Sequence, residues 1–336
     1  MDIGTHALAS LALARAIFPR APKQIWAWAA GAGIVADVDV FSDFLGPANY
    51  LKWHRTYTHS LVACLAVAVF CAVIYQVLSG TELRRRLPTA SVFAAALLAQ
   101  ILHVAMDAAQ WQDVEALWPV RGTRFALAWL PTIDPWIIVI LILSTLVPEL
   151  FHLISSEIGA KDKRPRGQVA AIVGLLAVLM YAGVRAELHG SIVAQLQNRT
   201  YSGELPRRVG AFPEAVSLTT WHSVVETESA LHRITAKAGW AHATGLDSGE
   251  NLFKPEQTPN LRAAETTEAA KRCLSIARFP KASIQKTDAG EEVEIRDLRY
   301  GAAGDLTHEV AVLVDFDRAG KMVYQQLIWV NPAGSR

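Results

Sequence analysis

Charge is scarce in this sequence. Only 19% of its 336 residues are Asp, Glu, Lys or Arg, against 52% hydrophobic, and the net charge is +1. That near balance removes the basic footprint expected of a nucleic-acid partner. Cysteine is nearly absent: Cys64, Cys71 and Cys273 have no metal-ligand spacing. Cys64 and Cys71 fall two turns apart on one expected helix, too far to bridge. The opening Met1-Asp2-Ile3-Gly4 lacks a basic residue, and no small-residue cleavage site follows a suitable apolar core. The first apolar segment is therefore expected to stay in the mature protein. Repeats and low-complexity tracts are missing too. What is abundant is apolar length. The mean hydropathy of +0.23 is too high for an ordinary soluble protein, and the apolarity is concentrated in the first 190 residues.

Six apolar segments stand out there: 7–18, 25–36, 61–78, 89–106, 133–154 and 168–188. The first two are short, since about 12 helical residues rise only about 18 Å and a bilayer core is about 30 Å thick. The other four are near the length of a span, and in lipid only helix satisfies their backbone. Arg15, Arg20 and Lys23 follow the first segment, Arg84, Arg85 and Arg86 the third, and Lys161, Lys163, Arg164 and Arg166 the fifth. If every segment crosses, these loops share one side, which the positive-inside rule makes cytoplasmic. The opposite loops carry fewer basic residues, among them Lys52, Arg55, Arg121 and Arg124. The fold class is thus expected to be mainly α: a polytopic helical membrane domain over 1–189. A small extramembrane α+β domain on an antiparallel sheet is expected to follow over 190–336. Strands are expected over 218–225, 230–234, 283–286, 292–298, 309–316 and 321–330, and a helix over 263–277, with Asp317-Arg318-Ala319-Gly320 as a hairpin turn. Six crossings put this domain outside, where it is expected to cover or restrict the site described next.

The topology brings a set of polar residues to the non-cytoplasmic side. His6 opens the first segment, Asp37 and Asp39 close the second, His54 and His59 open the third, His103 and Asp107 close the fourth, and Asp134 opens the fifth. His103 and Asp107 at i, i+4 share a helix face. Asp37 and Asp39, read as extended chain, point the same way, so one or both can face a shared site. Each has a plain alternative: a helix-end hydrogen bond, a solvated exit, or a cap at Thr5 or Thr58. Together they are harder to dismiss, because ionisable groups near membrane depth cost on the order of 2.5–3.5 kcal/mol each at a helix centre. A bound divalent cation compensates them. Imidazole and carboxylate suit zinc, and with more oxygen donors manganese or iron. The number of candidates allows two or three ions, an arrangement suited to phosphoester hydrolysis. Arg55, with Arg121 or Arg124, can then grip a phosphate, although interfacial snorkelling explains any one of them equally well.

Residues 1–107 resemble the YdjM-type family of membrane-bound proteins regarded as metal-dependent hydrolases. The resemblance rests on Thr5-His6, Asp37-Val38-Asp39, His54-Arg55-x-x-Thr58-His59-Ser60 and His103-x-x-x-Asp107. The third of these is the most specific. Family members tend to carry Pro before the first Asp, where this chain has Ala36. The resemblance continues through Trp118-Pro119-Val120-Arg121 and Ile133-Asp134-Pro135-Trp136. Ala277-Arg278-Phe279-Pro280 and Asp297-Leu298-Arg299-Tyr300 are similar to the C-terminal domain of a longer subgroup. The family is distantly similar to zinc phospholipases C and single-strand nucleases, which hold several zinc ions with His and Asp. That implies ligand roles for His6, Asp37 or Asp39, His59, His103 and Asp107.

Three functions remain in competition. The first is a hydrolase of the inner membrane. It uses metal-activated water on a lipid-like or amphiphilic phosphoester, with His6, His54, His59, His103 and Asp107 as ligands. Asp37 and Asp39 serve as ligands or base, Arg55 orients phosphate, and Asp134 is a further ligand or supporting carboxylate. The second is an ion-handling protein, which expects polar or broken helices at mid-membrane; apart from Gln100 and Gly174 the later segments show few. The third is a non-catalytic membrane scaffold with structural histidines. His222, His232, His242 and His308 in the outer domain have no ligand spacing.

Overall fold

A computed structural model describes residues 1–157, 167–239, 243–247, 249–300 and 309–330. Lys161, Lys163, Arg164, Arg166, His242 and His308 lie outside the described residues. The chain divides into two compact units, Met1–Val40 with Trp53–Arg185, and Phe41–Lys52 with Ala186–Arg336.

The first unit is helical. Its elements are α1 (Ile3–Ile17), α2 (Gln24–Ala32), a 3-10 helix (Ala36–Leu45) that runs on into the second unit, α3 (Pro47–Trp53), α4 (Leu61–Leu78), α5 (Thr81–Arg86), α6 (Thr89–Ala108), α7 (Pro135–Glu157) and α8 (Gln168–Gln197). α4, α6 and α8 are each long and apolar enough to cross a membrane, and α2 with the 3-10 helix passes the same test as a pair bent by 43°. α1 and the apolar part of α7, Pro135–Phe151, are shorter. The caps are not the threonines considered from the sequence. Asp2 accepts the Thr5 amide at 3.0 Å to start α1, and Ser60 accepts the Ala63 amide at 3.1 Å to start α4. A cap must stand just before the first helical residue; Thr5 falls inside α1, and Thr58 is two positions too early for α4.

Small residues let the helices approach, as is usual where no hydrophobic drive separates protein from lipid. Ala68 and Cys71 of α4 meet Ala95, Ala96 and Ala99 of α6, and the Tyr75 hydroxyl donates to the Leu87 carbonyl at 2.6 Å. A second cluster joins Ala9 and Ala12 of α1 to Met106, Ile137, Leu141 and Ala171. Leu65, Val69, Phe70 and Val73 of α4 and Val173, Leu176, Leu179 and Met180 of α8 are left exposed, an apolar surface of the kind lipid covers.

The sequence suggested one segment over 25–36, but the chain breaks it. A Cβ at Gly33 would lie 2.0 Å from Ser10 Oγ and 2.8 Å from its Cβ, so α2 ends hard against α1 only because residue 33 has no side chain. The break frees backbone carbonyls that only protein can satisfy at membrane depth. Gln100 donates its side-chain amide to Ala32 O, and His103 Nδ1 donates to Gly33 O at 2.7 Å.

The second unit holds two antiparallel sheets where one was expected. The first comprises β1 (Arg208–Pro213), β2 (Thr220–Glu226), β3 (Ala230–Ala238), β4 (Ala243–Asp247) and β5 (Asn251–Phe253), in the order β1-β2-β3-β4 with β5 on β3. Its core includes Trp221, Val225, Ile234 and Ala236, together with Ile192 and Leu196 from the end of α8. α8 therefore runs past the apolar stretch read from the sequence. α9 (Pro259–Glu265) and α10 (Glu268–Leu274) replace the single helix expected over 263–277. Thr267 ends the continuity by capping α10, accepting the Ala270 amide at 3.1 Å, a bond threonine offers in competition with helix. The second sheet runs β6 (Pro280–Thr287), β7 (Gly290–Asp297), β8 (Glu309–Asp317) and β9 (Met322–Val330) in sequence order. Val293, Ile295, Val312 and Val314 pack on Leu261, Ala264 and Ala270 of the two short helices. The β8–β9 turn is the predicted one. Asp317 Oδ1 accepts the Ala319 and Lys321 amides at 2.9 Å, and Gly320 takes the positive φ of 77° that closes it.

Two predictions follow from this packing. Gly33→Ala should destabilise the detergent-solubilised protein by about 1–3 kcal/mol, the usual cost of overpacking. Gly31→Ala, where a Cβ meets nothing within 4 Å, should leave stability unchanged or raised; thermal unfolding of both variants checks the contrast. In the second sheet, burial pushes the Glu309 carboxyl up to about 7. Folded Glu309 keeps its proton where the unfolded chain loses it, so its contribution falls as pH rises from about 4.5 to 7 and is flat above. Glu309→Gln should therefore unfold at a higher temperature than wild type at pH 8, by up to about 3 kcal/mol in stability, and match it near pH 4.

Candidate metal centre

Four stretches of the first unit deliver polar side chains to one place. α1 brings His6, the start of the 3-10 helix brings Asp37 and Asp39, the turn before α4 brings His54, Arg55, Thr58 and His59, and α6 brings His103 and Asp107. One donor atom each from His6, Asp37, His103 and Asp107 lie within 4.8 Å of one another, the one such group among the described residues.

Asp107 is the hub. His6 Nε2 lies 3.1 Å from its Oδ1, and His59 Nε2 and His103 Nε2 lie 2.9 and 3.6 Å from its Oδ2. Asp37 Oδ1 is 3.6 Å from His103 Nε2 and 3.8 Å from His59 Nε2. The His6 ring stacks on His103 with centroids 3.7 Å apart. His103 Nδ1 is committed to Gly33 O, and His59 Nδ1 bonds Thr58 Oγ1 at 3.1 Å and lies 3.0 Å from Asp39 Oδ2. Those bonds fix the tautomers and turn both Nε2 atoms toward Asp107, 3.2 Å from each other.

The donor set suits a cation. His6 Nδ1, Asp37 Oδ2 and Asp107 Oδ2 are buried without a hydrogen-bond partner; the close approach of His59 to Asp107 Oδ2 lacks hydrogen-bond alignment. Buried lone pairs of this kind are unusual unless an ion or water meets them. Two protein cations also face the cluster. Arg55 Nη2 bonds Gln110 Oε1 at 2.7 Å and Asp107 Oδ1 at 3.4 Å, while Nη1 bonds the Gln112 carbonyl at 3.3 Å. The Met1 amino group contacts Asp107 as well. Burial alone would lower the His59 imidazolium, but the nearby carboxylates of Asp107 and then Asp39 prevail and push it up to about 9. From the protein's own groups, His59 thus carries a proton that a metal would displace.

The remaining sequence candidates fall outside the cluster. His54 Nδ1 pairs with Asp39 Oδ1 at 3.2 Å. Asp134, read from the sequence as a ligand or supporting carboxylate, instead caps α7, accepting the Trp136 and Ile137 amides at 3.0 and 3.2 Å and the Tyr181 hydroxyl at 2.9 Å. Sharing a level with the site did not bring it into contact. Arg55 is buried behind Asp107, Arg124 bonds Thr56 Oγ1 at 2.6 Å, and Arg121 is exposed. In the second unit, His232 is bonded to Asn251 at 2.8 Å.

Gln100, Gln110 and Gly33 support the site without having been singled out for it. The signal was present: Gln100, His103, Asp107 and Gln110 recur every three or four residues, a polar stripe on an otherwise apolar helix and its exit, and all four are buried.

The sequence profile of the YdjM inner membrane protein family matches residues 1–189, the stretch that holds every residue of the cluster. YfhP of Bacillus subtilis (strain 168), a protein described as uncharacterized, is 22% identical over 332 residues, covering 94% of this chain and 92% of its own. No solved structure matches. With the profile spanning more than half of its length, the chain belongs to the YdjM inner membrane protein family.

Proposed function

We propose that the protein is a membrane-bound, metal-dependent hydrolase of a phosphoester in a lipid or amphiphilic substrate. The observation that carries this reading is the convergence of His6, Asp37, His103 and Asp107 within 4.8 Å, with buried lone pairs that no protein donor meets. Zinc suits these donors best, and manganese or iron accept the same types. One ion fits the spacing, since donors around a tetrahedral zinc sit about 3.3 Å apart at ordinary bond lengths. Two or three ions would need further carboxylates, and Asp39 and Asp134 are already engaged.

A bound divalent ion at such a site supplies an acidified water and polarises a phosphoryl oxygen. The chain's own groups do the rest. Asp107 gathers three imidazoles, and Arg55 balances its charge. Asp37 is the most open carboxylate, with 11% side-chain exposure against 2% for Asp39 and none for Asp107. It is therefore the group placed to meet incoming water and substrate, as ligand or base. A lipid-like substrate is favoured because the apolar outer faces of α4 and α8 hold the site beside the bilayer. We assign 1–189 to the inner membrane and 190–336 to the space outside it. Arg15, Arg20, Lys23, Arg84, Arg85 and Arg86 lie at the helix ends remote from the site, and by the positive-inside rule this supports a site on the non-cytoplasmic side.

A scaffold reading is favoured by one observation: Arg55 and protonated His59 can balance Asp107 without an ion. Hydrolysis separates the two. The zinc- or manganese-loaded protein should release product from a short-chain phospholipid, lose that activity to a chelator and regain it on metal addition. His103→Ala should lose at least about 100-fold, a loss expected of a ligand. Activity indifferent to chelator and to His103→Ala would rule out metal dependence, and no turnover of any phosphoester by the metal-loaded protein would rule out the substrate class.

A further inference from the structure

Asp37 and Asp39 stand two residues apart, and extended chain would aim both at one site. The 3-10 helix that carries them turns about 120° per residue, so their side chains diverge. Asp37 faces the imidazoles with one oxygen and leaves Oδ2 buried and unpartnered. Asp39 faces the turn before α4, where both of its oxygens are engaged by protein groups. Oδ1 meets His54 Nδ1 at 3.2 Å. Oδ2 accepts the Arg55 amide at 2.8 Å and the Thr58 hydroxyl at 2.7 Å, and lies 3.0 Å from His59 Nδ1. An ionised carboxylate offers about four acceptor sites; those on Oδ2 are filled, Oδ1 is paired with His54, and Asp39 is not among the residues whose donor atoms converge within 4.8 Å. Arg55 is held at a positive φ of 57°, a conformation costly for a residue with a side chain. Its amide bond to Asp39 helps hold it there.

We propose that Asp39 is a positioning residue of the metal centre. It holds His59 from behind so that Nε2 faces the ion, and it is neither ligand nor base. This rests on the metal-centre reading above. A carboxylate behind a ligating imidazole fixes its ring and tautomer, and removing such a partner typically weakens metal binding 10–100-fold without removing the site. Asparagine at 39 would keep one acceptor oxygen but turn an amide group toward neighbours that are themselves donors.

The test is cobalt(II) titration of the full-length protein in detergent, with spectra and bound metal per chain. Asp39→Asn should bind 10–100-fold more weakly, reach the wild-type metal content at saturation and keep the wild-type band positions. Asp37→Asn should change the spectrum. The double variant Asp39→Asn/His59→Ala should bind no more weakly than His59→Ala alone, because Asp39 acts through His59. Additive losses, a lower saturating content in Asp39→Asn, or wild-type affinity in it would each overturn the assignment. The zinc-loaded wild-type structure decides the point even if Asp39→Asn does not fold. Asp39 bonded to His59 Nδ1 and away from the ion supports the proposal, whereas Asp39 within about 2.2 Å of zinc overturns it alone. A wild type that binds no ion overturns both this assignment and the reading on which it rests.

Discussion

A carboxylate with no exposed surface at the end of a membrane-length helix sets the terms for the rest of the first unit. Asp107 cannot stay ionised there without partners, because the cost of burying a lone charge exceeds any packing gain around it. The chain answers with His6 from α1, His59 and Arg55 from the turn before α4, and His103 one turn back on α6. Helices far apart in sequence must meet at one level for that to happen. The small residues that let α1, α2, α4 and α6 approach are the packing side of the same requirement. The lone pairs left over on Asp37, His6 and Asp107 are its chemical side.

The break after α2 links backbone to chemistry. Gly33 allows the helix to stop against Ser10, and the carbonyls freed at the stop hold Gln100 and His103. One interruption thus fixes a histidine tautomer and starts the 3-10 turn that separates Asp37 from Asp39. Such unwound backbone is tolerated at membrane depth only where protein satisfies it. The paired use of Gly33 O by His103 and Asp39 Oδ2 by His59 gives each imidazole a rear partner and leaves each Nε2 facing the same carboxylate.

What could be read from the sequence tracks how local the determinant is. His103 and Asp107 were legible because helical periodicity alone puts i and i+4 on one face. The spans were legible because apolar length is a local property; α4 begins and ends where its hydropathy does. Whether one or both of Asp37 and Asp39 face the site stayed open because two residues share a side at a period of two and part at a period of three, and nothing in Asp-Val-Asp reveals the period. Asp134 was drawn in by topology, which gives a level but not a distance. In the second unit, β8, β9 and their Asp317–Gly320 turn followed from alternation and turn chemistry. The short β4 and β5, and the division into two sheets, depend on pairings distant in sequence. Thr267 did carry a local signal for the break between α9 and α10, but good helix formers on both sides masked it.

The central claim is that these buried groups are arranged around an ion. Elemental analysis by mass spectrometry of the purified full-length protein, beside Asp107→Asn verified as folded, addresses it most directly. About one zinc, manganese or iron per wild-type chain, lost in the variant, is the predicted result. No bound metal in wild type, even after reconstitution, would contradict it and leave a self-contained network of histidine, aspartate and arginine.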